Sequence, residues 1–208
     1  MKYQLRDYQK KASDAAVMCF KMKSGRNGLL VLPTGAGKSL IIADIAARLE
    51  EPLIVFQPNK EILEQNFAKL QTYGIWDCSI YSASVGRKEI SRITFATIGS
   101  VIRHMKDFQH FKNILIDECH LVKPSDGMYK RFFEQAERRI VGLTATPYRL
   151  YSCMNGSMLK FLTRTRPRVF SQVLYYCQVS ELLAKGFLSR LKYYDVTRID
   201  LTKVRRNS

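Results

Sequence analysis

Pro33-Thr34-Gly35-Ala36-Gly37-Lys38-Ser39 places two glycines, a lysine and a hydroxyl side chain next to one another. Glycines let a backbone turn tightly enough to aim N–H groups at an anion, and a lysine on that turn neutralises further phosphate charge. A serine hydroxyl is a hard oxygen donor of the kind Mg²⁺ takes. Further along, Ile116-Asp117-Glu118-Cys119-His120 supplies two adjacent carboxylates. Asp117 can hold the other side of the metal, which leaves Glu118 to act on water. These residue types predict a Mg-polyphosphate site with a hydrolytic carboxylate, and so ATP hydrolysis with ATP and Mg²⁺ as cofactors. Leu32 stands where the strict eight-residue pattern has glycine. The context compensates, because the run follows an apolar strand and opens a helix.

The elements that must position these groups alternate short β-rich runs with helical stretches, as in a parallel sheet with crossover helices. Residues 5–24 read as an amphipathic helix with Ala12, Ala16, Cys19 and Phe20 on one face and Gly25 as its stop. Strands are expected at Gly28–Leu32, Leu53–Gln57, Ser79–Ser82, Ile93–Ala96, Asn113–Asp117 and Ile140–Thr144. Helices are expected at Lys38–Leu49, at 60–73 between an Asn59 cap and Gly74, and at 127–137. Gly86-Arg87-Lys88 reads as a polar turn and 150–166 as loop with some helix. Val169–Tyr176 and Leu191–Val196 read as strands, and Ser180–Lys185 as a short capped helix ended by Gly186. The resulting division is 1–150 as an ATP-binding domain, 151–196 as an extension completing it, and 197–208 as linker.

The 208 residues suffice for one domain with a real core, and 46% hydrophobic against 25% charged residues is ordinary for a globular chain. The charge balance is not: 34 Lys and Arg stand against 18 Asp and Glu, a net +16 that favours an anionic partner. Five scattered cysteines without a Cys-x-x-Cys pair argue against a cysteine metal site, and they predict a reducing, cytoplasmic setting. No apolar run approaches the length of a membrane span.

Taken together, the motifs resemble the first RecA-like domain of superfamily 2 DEAD/DEAH-type helicases and translocases. Residues 33–39 are similar to motif I, Asp117-Glu118-Cys119-His120 to motif II in its DECH form, and Thr144-Ala145-Thr146 to motif III. Leu5-Arg6-Asp7-Tyr8-Gln9 resembles the adenine-reading segment upstream of motif I. The resemblance implies a RecA-like P-loop NTPase domain, α/β, its mostly parallel sheet flanked by helices on both faces. It implies that Pro33, Thr34, Gly35, Ala36, Gly37, Lys38 and Ser39 bind the phosphates, with Ser39 and Asp117 on Mg²⁺. Gln9 would read adenine with Arg6 in support; taken alone, Gln9 reads first as a solvated helix residue. Glu118 would orient or deprotonate water. His120 would link that site to motif III, unless it only bonds its own loop.

By the same resemblance, Thr144 and Thr146 couple hydrolysis to the grip on nucleic acid. Gln57-Pro58-Asn59-Lys60-Glu61 resembles motif Ia, with Pro58, Asn59 and Lys60 as its contact residues, and Thr97-Ile98-Gly99-Ser100 resembles motif Ib, with Thr97 and Ser100; both motifs bear the nucleic-acid backbone. As plain sequence, each is also an ordinary helix start. The runs 142–150 and 182–188 resemble the DNA-directed group that includes RadD-type, XPB-like and restriction-motor proteins. DNA is therefore favoured over RNA. Such motors use a second RecA-like domain with an arginine finger. No Gln-x-x-Gly-Arg-x-x-Arg run occurs here, and Arg149 follows motif III, so the expectation is one wall of a cleft. The competing reading is a non-catalytic nucleotide- or nucleic-acid-binding module with the same fold.

Overall fold

A computed structural model describes residues 4–22, 26–153 and 156–190. The main sheet has eight strands: β1 (Gly28–Val31), β2 (Leu53–Phe56), β3 (Cys78–Ser82), β4 (Arg87–Lys88), β5 (Ile93–Ala96), β6 (Asn113–Ile116), β7 (Arg139–Thr144) and β10 (Gln172–Tyr176). Their order is β10-β1-β7-β6-β2-β5-β3-β4, all parallel except the β3–β4 pair. Because side chains alternate along a strand, each central strand feeds two cores. Leu30, Val55, Leu115 and Leu143 face one, shared with helices α1 (Asp7–Lys21), α2 (Lys38–Arg48) and α3 (Lys60–Thr72). Leu29, Ile54, Phe56 and Ile116 face the other, with the short helices α4 (Ile98–Val101) and α5 (Met128–Phe133). The α/β, mostly parallel, two-faced architecture is as expected.

Ala12, Ala16, Cys19 and Phe20 form the buried face of α1, as the periodicity predicts. Asn59 caps α3 by accepting the Ile62 N–H at 2.9 Å. Several boundaries differ. Residues 150–166 are mostly strand rather than loop, with a short 3-10 helix at Leu162–Arg164. β8 (Tyr148–Cys153) and β9 (Gly156–Phe161) pair antiparallel as a separate two-stranded sheet, from Tyr148 opposite Phe161 to Cys153 opposite Gly156. Tyr148, Leu150, Leu159 and Phe161 stay exposed there, so no period of burial marked the strands in sequence.

Arg87 and Lys88, read as turn, make a two-residue edge strand against Ser82 and Tyr81. The 127–137 helix shortens to Met128–Phe133, and Val169–Tyr176 begins only at Gln172. The last helix, α6 (Val179–Ala184), starts one residue before Ser180, with Gln178 rather than a serine at its cap. Gly25, Leu191–Val196 and 197–208 lie outside the described residues. Among the described residues no helix is long and apolar enough to cross a membrane.

Candidate nucleotide site and nucleic-acid face

Motif I leaves the sheet at the C-terminal end of β1, where Leu32 N–H still bonds Thr144 O at 2.9 Å. Leu32, the departure from the strict pattern, is fully buried and so serves the core. Gly35 and Gly37 then take φ of 81° and 76°, a left-handed geometry that L side chains resist. Gly37 sits at the N-terminus of α2, where no side chain caps the helix. Its first N–H groups and its dipole therefore face the loop, a ready anion site.

The loop is braced from α1. Gln9 Nε2 and Tyr8 Oη both donate to Ala36 O at 2.9 Å, and Arg6 N–H donates to Gln9 Oε1 at 2.9 Å. Gln9 is buried at 3% exposure, which removes the reading of it as a solvated residue. Its position beside the phosphate loop fits an adenine-side residue that also fixes loop shape. Arg6 is exposed at its backbone start of α1, and its guanidinium lies 4.1 Å from the centre of the Phe187 ring. Phe187 is a neighbour the sequence did not indicate.

Motif II leaves β6 two strands away, and the turn there reaches back to motif I. Lys38 Nζ donates to Glu118 Oε1 at 2.5 Å, with the two side chains 13% and 25% exposed. Glu118 adopts φ 48° and ψ 47°, the one positive-φ residue besides glycine among those described. Asp117 is 6% exposed, accepting from Glu118 N–H at 3.0 Å and from Asn66 Nδ2 at 3.3 Å. Burial pushes its carboxyl from 3.8 up to about 6; Lys38 opposes the rise, Glu118 adds to it, and the two hydrogen bonds oppose it. Asn66 is a second residue the sequence reading missed. The signal was available: a polar side chain on the same helical stripe as Leu63, Phe67 and Leu70.

His120 Nδ1 lies 3.3 Å from Glu118 Oε2 and 3.0 Å from Thr144 Oγ1. Thr144 Oγ1 also accepts the Thr146 N–H at 3.0 Å. Motifs I, II and III are thus joined in one chain of polar contacts through His120, which does more than bond its own loop. Cys119 packs instead: a Cβ added at Gly142 would stand 2.6 Å from its Sγ.

Mg²⁺ and a nucleoside triphosphate fit these residues. No group of three or more His, Cys, Asp or Glu side chains suited to a metal occurs among the described residues. Mg²⁺ does not ask for one, since it binds one or two carboxylates and takes its other ligands from phosphate and water. Asp117, raised by burial with only Lys38 near it as a cation, is a carboxylate a divalent ion would stabilise in its charged form. Ser39 is half-buried at the start of α2.

The residues resembling motifs Ia and Ib come together on another part of the same sheet edge. Pro58, Asn59, Lys60, Thr97 and Ser100 line one cleft of about 500 Å³, joined by Lys88, Arg103 and His104. The Ser100 hydroxyl is 8% exposed and accepts Ala83 N–H at 2.9 Å, and it lies 3.0 Å from Thr97 Oγ1. Those hydroxyls therefore order the cleft from below, while Lys60, Lys88 and Arg103 present charge to solvent.

Residues 2–149 match the family described as "Type III restriction enzyme, res subunit". The chain belongs to that family. Its sequence is 29% identical over 151 residues to the DNA 3'-5' translocase XPB2 of Sulfurisphaera tokodaii, covering 71% of this chain and 32% of that protein. It is 27% identical over 164 residues to the putative ATP-dependent RNA helicase QP509L of African swine fever virus, covering 76% of this chain and 32% of the relative. In fold, it resembles the Sulfolobus solfataricus SWI2/SNF2 ATPase core solved with dsDNA: TM-score 0.57, 21% identity, 71% of this chain and 33% of that one. The chain spans about a third of the length of these curated relatives.

Proposed function

We propose that this chain is the first motor domain of an ATP-dependent nucleic-acid helicase or translocase, with DNA as its substrate. One observation carries the reading most: Lys38, Asp117, Glu118 and His120 converge at one edge of the sheet. Lys38 Nζ reaches Glu118 at 2.5 Å across the intervening β7 strand. A binding module without chemistry has no need of a carboxylate held there.

In this reading the motif I loop and the start of α2 bind the triphosphate, and Ser39 and Asp117 hold Mg²⁺. The ion, when bound, neutralises charge on the transferring phosphoryl group. Lys38 turns from Glu118 to the phosphates, and Glu118 is released to take a proton from water. His120 passes the position of Glu118 to Thr144 and thence to Thr146. The cationic cleft beside Lys60 grips phosphates of the nucleic acid, with an affinity that falls steeply with salt. A second RecA-like domain supplies the opposite wall of the nucleotide cleft.

DNA is favoured by the motif resemblance and by the translocase relative, whereas the viral relative carries an RNA helicase name. The test is Mg²⁺-dependent ATPase, in the whole protein, with DNA, with RNA and with neither. DNA-stimulated turnover that falls about 10²–10⁴-fold in Glu118→Gln, with nucleotide binding retained, is the expected result. Turnover unchanged in that variant refutes the hydrolytic role. Stimulation by RNA alone refutes the choice of DNA.

A further inference from the structure

Next to the cationic cleft lies a second one of about 480 Å³, and the proposed function gives it no occupant. Its floor includes Gln57, the residue that follows β2. Gln57 backbone N–H bonds Ala96 O at 2.9 Å, so the main chain is fixed. Its side chain is 2% exposed, yet neither Nε2 nor Oε1 has a hydrogen-bond partner. Buried amides almost always have partners, and one with both ends unpaired calls for a partner, water or ligand, from the cleft it lines.

The rest of the lining limits what that ligand can be. Pro58, Ile98, Leu121, Met128 and Tyr129 give the cleft an apolar wall. The Tyr129 ring is held edge-on by Phe56, centroids 5.5 Å apart, so that wall is set. Lys123, Asp126 and Arg131 stand at the rim. A flat group with apolar faces and a polar edge suits this combination, and the volume is within the roughly 300–1,000 Å³ of small-molecule pockets.

The two clefts share Pro58, Thr97 and Gly99. Those residues border both clefts, with Lys60, Lys88 and Arg103 lining one and Gln57 the other. Gly99 is exposed, and a Cβ built on it meets nothing within 4 Å. At Gly99 the shared border therefore carries no side chain to obstruct a strand lying across it. We infer that this cleft receives one nucleobase turned out of a strand whose phosphates lie on the cationic side, with Gln57 hydrogen-bonding the edge of the base. The inference rests on the proposed nucleic-acid function and adds base recognition to a backbone grip.

The test compares binding of a short oligothymidylate with its fully abasic counterpart of equal length and charge, by fluorescence anisotropy at low salt. The expected result is a loss of about fivefold or more for the abasic strand. Gly99→Leu, whose Cβ meets nothing within 4 Å, should weaken the normal strand by a similar factor and leave the abasic strand almost unchanged. Gln57→Leu should keep the fold and narrow the differences in affinity among oligo-dA, -dC and -dT. Equal binding of both strands by the unaltered chain, or equal weakening of both by Gly99→Leu, overturns the base pocket and leaves the backbone grip standing. Binding of neither strand overturns both.

Discussion

Replacing Asp117 by Asn tests the buried carboxylate of motif II through stability alone, apart from catalysis. The folded carboxyl titrates at about 6 against 3.8 unfolded, mainly because burial at 6% exposure disfavours its charge. Between these values the folded chain binds more protons than the unfolded one. The contribution of Asp117 to stability is therefore greatest below about pH 4, falls as pH rises, and reaches its lower plateau above about pH 6. A shift of about two units corresponds to about 3 kcal/mol. Asp117→Asn removes the charge and should recover most of that above pH 6, with little difference near pH 4. The substituted amide can be accommodated. Its oxygen still accepts Glu118 N–H, and Asn66 Oδ1, which now has no partner, can accept from the new Nδ2 once the Asn66 amide turns over. Urea unfolding followed by circular dichroism across this pH range, without nucleotide or Mg²⁺, measures both slopes. An Asp117→Asn advantage over wild type that does not grow from about pH 4 to 6, or an Asp117→Asn chain less stable at neutral pH, refutes the account.

Two further perturbations address the phosphate loop. Gln9→Ala removes the bonds to Ala36 O and from Arg6 N–H, and is expected to cost about 1–2 kcal/mol in denaturant unfolding and to weaken nucleotide binding in titration calorimetry. Gly37→Ala forces a side chain into φ 76° with its Cβ 2.5 Å from Gln9 Nε2. A loss of about 1–3 kcal/mol is expected. In the Gln9→Ala background the clash is gone, so the pair should cost less than the sum; strict additivity in the double-mutant cycle rules out the contact.

The sheet and the motif I–motif II pairing were legible because strong, local patterns encode them. Apolar runs end in glycines or carboxylates, and α1 carries a clean buried stripe. What escaped depends on distance in sequence or on weak patterning. The buried stripe of α3 marks Asn66 as an inward polar residue but does not name Asp117 as its partner, and Phe187 reaches Arg6 only after β10 has joined β1 at the edge of the sheet. The β8–β9 hairpin escaped for a different reason. Its residues bury little, and strand alternation is visible only where one face is covered. Gln57 read as the end of a strand and the first residue of motif Ia, and only the packed structure reveals a buried amide with nothing to bond.

The left-handed turn at Glu118 has a directional consequence. On an extended strand, successive side chains point to opposite faces, so a carboxylate following Asp117 would be sent away from it. Reversing the backbone at φ 48° cancels that alternation, and two neighbouring acids can address the same small volume. The position thus asks two things of one residue: a conformation that glycine accepts most easily, and a carboxylate that glycine lacks. A β-branched residue at 118 would fail on both counts. The ion pair with Lys38 and the contact with His120 are what hold a glutamate in a shape its backbone would not choose.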